Sequence, residues 1–314
     1  MKGKKWNNGV FYLALTIVFF STFEVVSKTT GEYISATQLT FVRFFFGGLC
    51  LLPFAFVDLR RRQVKVTGKD ILFMLLLGAL NVTFSMTLLQ YGVFFANASL
   101  SAVIFSANPI FVALFSSLIL HEKVTWMKAV GLLLGLAGVA VAGFLGSGQI
   151  EGENVTLGVV LVILSAVLFG AYTVLSKKTG AKVGSLTLTG VSFTLGSLCV
   201  LPLLWWQQTP PFSFDWGAIW PQIIYLSVFV SGIAYASYFY GLSKTDTSLG
   251  SMTFFVKPIL ASIFAALALH ETMGINLLFG MILVLIGIVV VLFANRQAAI
   301  KAARIQNQTQ KKKQ

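Results

Sequence analysis

The chain is 314 residues long, 57% apolar and only 11% charged, with a net charge of +13. An ordinary soluble domain carries roughly 25% charged residues, so this composition excludes a soluble globular protein and implies an integral membrane one. The basic excess does not imply nucleic acid, because of where the charges fall along the chain.

Runs of about 20 apolar residues are needed to cross a bilayer core, and ten are predicted: 8–27, 34–57, 70–92, 97–120, 124–144, 157–176, 183–206, 217–241, 247–269 and 273–294. Met1 to Trp6 has the charge of a signal-peptide n-region. The apolar run after it is too long, lacks an A-x-A site and has an internal copy, so it is read as the first span. That span carries Glu24 toward its outer end, a place for a substrate amine or a proton, or for one half of an ion pair. The second carries Arg43, which cannot shed its proton and needs a partner, water or the interface. Spans one and two run antiparallel, so a Glu24–Arg43 pair is the leading structural expectation. The segment DLRRRQVKVTGKD, Asp58 to Asp70, reads as a cytoplasmic loop near anionic headgroups.

Span three offers Asn81, Ser85 and Gln90, and span eight offers Tyr235 and Tyr238. Such groups within a bilayer either bond between helices or face a ligand. Span four holds Asn108-Pro109 and span nine Lys257-Pro258. Proline lacks the N–H and its ring clashes with the preceding turn, so Pro109 and Pro258 are expected to break or kink their helices. Irregular backbone at that depth is tolerated where it lines protein or a wet cavity. Lys257, central in its span with no acidic neighbour there, is the leading single site candidate. It would bind a carboxylate or phosphate, or be held by freed carbonyls or by Glu24. Gly131 and Gly135 in span five permit close helix approach, within a monomer by default and in a homodimer as the alternative. His121 and His270 fall at span ends and lack the second histidine of H-E-x-x-H, so no metal and no cofactor is expected. Cys50 and Cys199 are not expected to pair. The loop Gly146 to Val155 joins the two halves, and residues 295–314 form a basic cytoplasmic tail.

The segments assigned to one side of the membrane hold 20 of the 23 lysines and arginines. By the positive-inside rule both termini are therefore cytoplasmic. All six tryptophans fall at or near predicted span ends, where an amphipathic ring prefers the headgroup level.

Shifting the chain by 149 residues aligns GVFYLALTIVFFSTFEVVSKTTG with GVVLVILSAVLFGAYTVLSKKTG without a gap, and 19 of the 45 positions from Gly9 to Pro53 are identical in the partner. The register holds through Pro109 with Pro258, His121-Glu122 with His270-Glu271, and Gly131 with Gly280. Each copy, 9–144 and 158–293, holds five spans. An odd number forces the second copy to enter the membrane upside down, giving an inverted-topology repeat. The embedded charges break the symmetry, with Glu24 facing Thr173, Arg43 facing Ser192 and Lys257 facing Asn108 across the copies.

Five plus five spans, a proline in spans four and nine, a closing glutamate (Glu122 and Glu271) and a glycine-rich span after it together resemble the EamA group of the drug/metabolite transporter superfamily. The resemblance implies an all-α integral membrane carrier of ten helices in the cell membrane, with a central cavity lined by spans one, three, four, six, eight and nine. Relatives of this kind move small polar metabolites, often outward. The expected function is alternating-access transport, without catalysis, of a metabolite such as an amino acid, with Lys257, Glu24, Arg43, Asn108, Asn81, Ser85, Tyr235 and Tyr238 facing it. A lipid or lipid-linked sugar translocase, and at greater distance an intramembrane enzyme, are the alternatives.

Overall fold

A computed structural model describes residues 2–96, 98–120, 125–144, 154–244 and 253–270, with most of 275–297. Among the described residues the regular elements are helices: α1 (Lys2–Lys28), α2 (Ala36–Arg62), α3 (Gly68–Phe95), α4 (Ala98–Leu120), α5 (Trp126–Phe144), α6 (Val155–Val183), α7 (Ser185–Trp206), α8 (Trp216–Lys244), α9 (Thr253–Leu269) and α10 (Leu278–Val291). Seven of them, α1–α4 and α6–α8, are long and apolar enough to cross a bilayer, whereas α5, α9 and α10 contribute shorter apolar stretches.

Local chemistry sets the helix starts. Ser35 and Gln38 form a reciprocal capping box on α2, and Thr67 and Asp70 do the same on α3, each satisfying donors that the first turn leaves free. Asn154 accepts from the Leu157 amide to begin α6, and Asp215 from the Ala218 amide to begin α8. Arg60, Arg61 and Arg62 close α2 at its negative dipole end. The left-handed Gln63, φ 53°, stops it.

The two prolines behave differently. Ser106 and Ala107 interrupt α4, and its second segment restarts at Asn108. Pro109 thus occupies a first turn, where a missing N–H costs nothing. The break expected at Pro258 does not occur, because α9 is continuous from Thr253 to Leu269. The carbonyl that Pro258 leaves without its donor belongs to Phe254, a single missing bond in the described ladder. His121 lies outside the described residues, and His270 follows α9 with a left-handed φ of 54°. Cys50 and Cys199 are both free thiols. The sequence gives no warning of two π-helical stretches, Ala79–Met86 in α3 and Tyr225–Ala234 in α8, which occupy overlapping positions under the 149-residue shift.

The bundle buries its polar groups within an apolar core and turns apolar side chains outward. Thr16, Ser21, Glu24, Arg43, Asn81, Asn108 and Lys257 are buried, while Phe11, Phe54, Leu76, Leu118 and Leu267 are more than half exposed. Polar groups kept off the exterior suit a solvent of lipid tails, which satisfies none of them.

Contacts between the copies come in pairs related by the shift. A Cβ on Gly131 would stand 2.6 Å from the Gly287 carbonyl oxygen, and a Cβ on Gly138 would stand 2.6 Å from that of Gly280. The Gly92–Gly158 crossing matches Gly241–Gly9 at 3.1 Å. Thr16 Oγ1 donates to the Ala234 carbonyl at 3.1 Å, and Ser85 Oγ donates to that of Ser165 at 2.9 Å. Gly131 therefore uses its closeness within the chain.

The ends of the helices can be placed from the same contacts. The Asn154 amide donates to the Phe95 carbonyl, 3.3 Å, at one end of α3, and Lys182 pairs with Asp70, 2.6 Å, at the other. So α6 runs antiparallel to α3. Lys28 at the end of α1 donates to the carbonyls of Val93, Phe94 and Ala96 at 2.6–3.2 Å, so α1 and α3 end together. Hence α1 and its copy α6 point in opposite directions. The end that carries Lys182 also carries Arg62, beside Gly184, and is the basic end of the bundle.

Candidate functional site

Six helices deliver side chains to one small central void of about 20 Å³, room for about a single water. Phe20 and Phe23 come from α1, Arg43 from α2, Met86 and Leu89 from α3, and Phe105 from α4. Val230 and Tyr235 come from α8, and Phe254 and Lys257 from α9.

The charged groups meet here, but not as the sequence led us to expect. Glu24 accepts from Lys257 through Oε1, and both side chains are at most 3% exposed. The Glu24–Arg43 pair is thereby corrected. Adjacent antiparallel spans place two residues at one depth, but the direction each faces around its helix is a separate matter. Arg43 instead lays its guanidinium on aromatic faces, with Cζ 4.3 Å from the Phe23 centroid and 4.4 Å from that of Phe44, a favourable cation–π geometry. It still feels the Glu24 charge. Its Nε and Nη2 have no hydrogen-bond partner among the described residues, and neither does Glu24 Oε2. Lys257 Nζ stands 5.0 Å from the Phe105 centroid.

Around the charges is an aromatic shell centred on contacts between equivalent residues of the two copies. Phe44 meets Phe193 edge to face at 4.7 Å, Phe105 meets Phe254 at 5.9 Å, and Tyr235 donates to Met86 Sδ at 3.1 Å. Each pair is separated by 149 residues, so the charge cluster sits where the copies face one another. The cluster is asymmetric, because Glu24 and Lys257 bond where the other copy has Thr173 and Asn108.

The remaining expected residues divide. Tyr235 lines the void and Asn81 lies beside it, with both amide atoms unpartnered among the described residues. Tyr238 is buried beside Thr173, its hydroxyl without a hydrogen-bond partner among the described residues. Asn108 keeps a long 3.5 Å contact to the Ala166 carbonyl, and its Oδ1 has no partner among the described residues. Ser85 is used between helices, bonded to Ser165, and Gln90 donates to Ser27. Sequence reasoning missed Phe23 and Met86, which carry no polar break from an apolar span. The shift itself could have found Met86, as the equivalent of Tyr235.

The ends of the bundle differ. At the non-basic end Gln38 Nε2 donates to the Pro210 and Ser213 carbonyls at 2.7 and 3.1 Å. Nearby, Gln207 donates at 3.0 Å to Tyr91, which also bonds Thr37. At the basic end, a cavity of about 320 Å³ lies among α2, α6, α7 and α8.

An apolar exterior, an all-helical interior and a sealed charge cluster define a polytopic membrane protein of carrier type. The signature of the EamA-like transporter family matches residues 7–144 and again 156–293, so the chain belongs to that family, within the drug/metabolite transporter superfamily. It is a multi-pass transporter of the cell membrane and not an enzyme. An uncharacterized transporter of Clostridium kluyveri is 30% identical over 92% of this chain and 94% of its own. YvbV of Bacillus subtilis, also named an uncharacterized transporter, is 30% identical over 93% of each. An S-adenosylmethionine uptake transporter of Rickettsia prowazekii is 26% identical over 68% of this chain and 69% of its own. A crystal structure 18% identical in sequence superposes with a TM-score of 0.70, covering 93% of this chain and 99% of that one, a likeness in fold.

Proposed function

We propose that this transporter exports a small polar metabolite bearing carboxylate and amino groups, of which an amino acid is the simplest case. It works by alternating access between two inverted five-helix halves, residues 9–144 and 158–293. In this reading ten helices span the membrane and both termini are cytoplasmic, with the basic end inward. The observation that carries the proposal is the buried Glu24–Lys257 pair at the meeting of the halves, with Arg43 as a second cation beside it.

The substrate carboxylate takes Lys257 and Arg43, and its ammonium takes Glu24, so the solute replaces the internal pair charge for charge. When solute leaves, Glu24 and Lys257 bond again. An empty carrier then returns without exposing an unpaired charge to a dry interior, which would be costly. Closure at the non-basic end through Gln38 and Gln207, with a cavity at the basic end, suits a conformation open toward the cytoplasm. The solute named for the Rickettsia relative also contains amino and carboxylate groups.

Flux of radiolabelled amino acids in proteoliposomes of known protein orientation tests this. Lys257→Met and Glu24→Gln are each expected to lower flux by about tenfold or more, the effect of about 1.4 kcal/mol of lost contact. Wild-type rate and affinity in both variants would overturn the assignment.

A further inference from the structure

The central cluster carries more positive charge than its own pairing uses. Among the described residues the buried charged side chains are Glu24, Arg43 and Lys257, two cations and one carboxylate. Glu24 bonds Lys257, which leaves Arg43 in excess. A guanidinium does not shed its proton inside a protein, so the cluster by itself holds one net positive charge. The equivalent of Arg43 in the other copy is Ser192, and the excess is not repeated there.

Arg43 is placed to offer that charge to a solute. It is 1% exposed and lines the central void, and its Nε and Nη2 lack hydrogen-bond partners among the described residues. The ring faces of Phe23 and Phe44 offset part of its charge without supplying an acceptor oxygen. Arg43 and Lys257 share the Phe23 ring, with Cζ and Nζ respectively 4.3 and 5.9 Å from its centroid, so one small solute can reach both. Tyr235 lines the same void beside Asn81, and its hydroxyl donates to Met86 Sδ at 3.1 Å. A thioether sulfur is a weak acceptor, which a carboxylate oxygen readily displaces.

An amino acid with a neutral side chain does not balance this cluster. Its carboxylate and ammonium cancel, and the excess charge stays in an interior where an uncompensated ion is costly. A solute with two carboxylates and one ammonium matches the cluster group for group. One carboxylate takes Lys257, the other takes Arg43 and the Tyr235 hydroxyl, and the ammonium takes Glu24. We infer that the preferred solute carries one net negative charge, as an amino acid with an acidic side chain does, and that Arg43 selects it. The inference rests on the reading of this cluster as the solute site, and adds the charge class of the solute to it.

Glutamate and glutamine have nearly the same shape and differ in the charge at one end, so comparing them isolates that charge. Half-saturation for each is measured from flux of the radiolabelled compound in proteoliposomes of the full-length protein, in chloride-free buffer. Glutamate is expected to be preferred by about tenfold or more, the scale of one charge-assisted contact. Arg43→Gln is expected to narrow the preference to within about twofold. Arg43→Lys is expected to keep part of it, since lysine restores the charge without the planar fork. A purely structural role for Arg43 lowers both fluxes and leaves their ratio at the wild-type value, a result that overturns the inference. Equal half-saturation for the two solutes in the wild-type protein overturns it as well, while the amino-acid reading stands. Flux of neither solute overturns it together with that reading. If Arg43→Gln fails to fold, the wild-type ratio decides alone.

Discussion

Replacing Lys257 by methionine is expected to lower the unfolding free energy by about 3–5 kcal/mol, because it strands the Glu24 carboxylate in a dry interior. Glu24 Oε2 already lacks a partner among the described residues, and the aromatic shell offers few donors to compensate. Adding Glu24→Gln to the same chain is expected to recover most of that loss, since two neutral side chains of similar size leave no charge to solvate. Denaturant unfolding of the two single variants and the double variant in detergent gives the coupling energy directly. A coupling below about 1 kcal/mol, the range of a solvated ion pair, would mean that the two groups are not a desolvated pair. Stability and transport should then separate. The double variant is expected to stay folded yet carry no solute, because it retains neither the ammonium nor the carboxylate that the solute must engage. A double variant that transports at the wild-type rate would reduce the pair to a structural tie between α1 and α9.

Arg43 makes that separation meaningful. The cluster holds two cations and one carboxylate, and the internal bond uses only Lys257. A guanidinium resting on Phe23 and Phe44, with two nitrogens unpartnered among the described residues, is an electrostatic request for an anion. The carboxylate of a solute fits it without disturbing the aromatic faces.

Much of this was legible in the chain because membrane physics leaves few choices. Long apolar runs become helices, and the constant 149-residue offset announces matched contacts such as Gly131–Gly287 with Gly138–Gly280. The three embedded charges were visible as charges without neutral excuses, and all three reach the centre. Their pairing was legible only as a choice, with Arg43 preferred and Lys257 the alternative for Glu24. Depth in the bilayer follows from position along a span, whereas azimuth follows from packing. The packing of α1 on α9 comes from the far copy, 233 residues away. The π-helical stretches were hidden for a related reason. A π turn inserts a residue without changing composition, so apolar periodicity shifts too little to be read in spans that are apolar nearly all round. Their consequence is local, since Asn81 and Ser231 both lie in such stretches and both are buried without hydrogen-bond partners among the described residues.

The closest approaches between the proposed halves carry the second large expected effect. In α2, a Cβ on Gly47 would stand 2.6 Å from the Ser227 carbonyl oxygen of α8 and 2.9 Å from Ser231 Cβ. The equivalent crossing puts Gly196 of α7 against the backbone of Gly78 in α3, where the Gly78 Cα would be 2.7 Å from an added Cβ. Alanine at either position must push two helices apart, and overpacking of this kind costs about 1–3 kcal/mol or more. Gly196→Ala is expected to be the worse of the two, because all three of its nearest obstacles are backbone atoms and no side chain can turn aside. Gly68→Ala, which would meet nothing within 4 Å, is expected to change stability by no more than about 0.5 kcal/mol. Thermal unfolding of the three variants in one detergent orders them, and equal midpoints for Gly196→Ala and Gly68→Ala would mean that the crossing is looser than its geometry implies. If the halves move as rigid bodies, these seams are where they must roll. Flux should then fall in Gly47→Ala by more than its loss of folded protein accounts for, and flux that merely tracks the folded fraction would place the moving surface elsewhere.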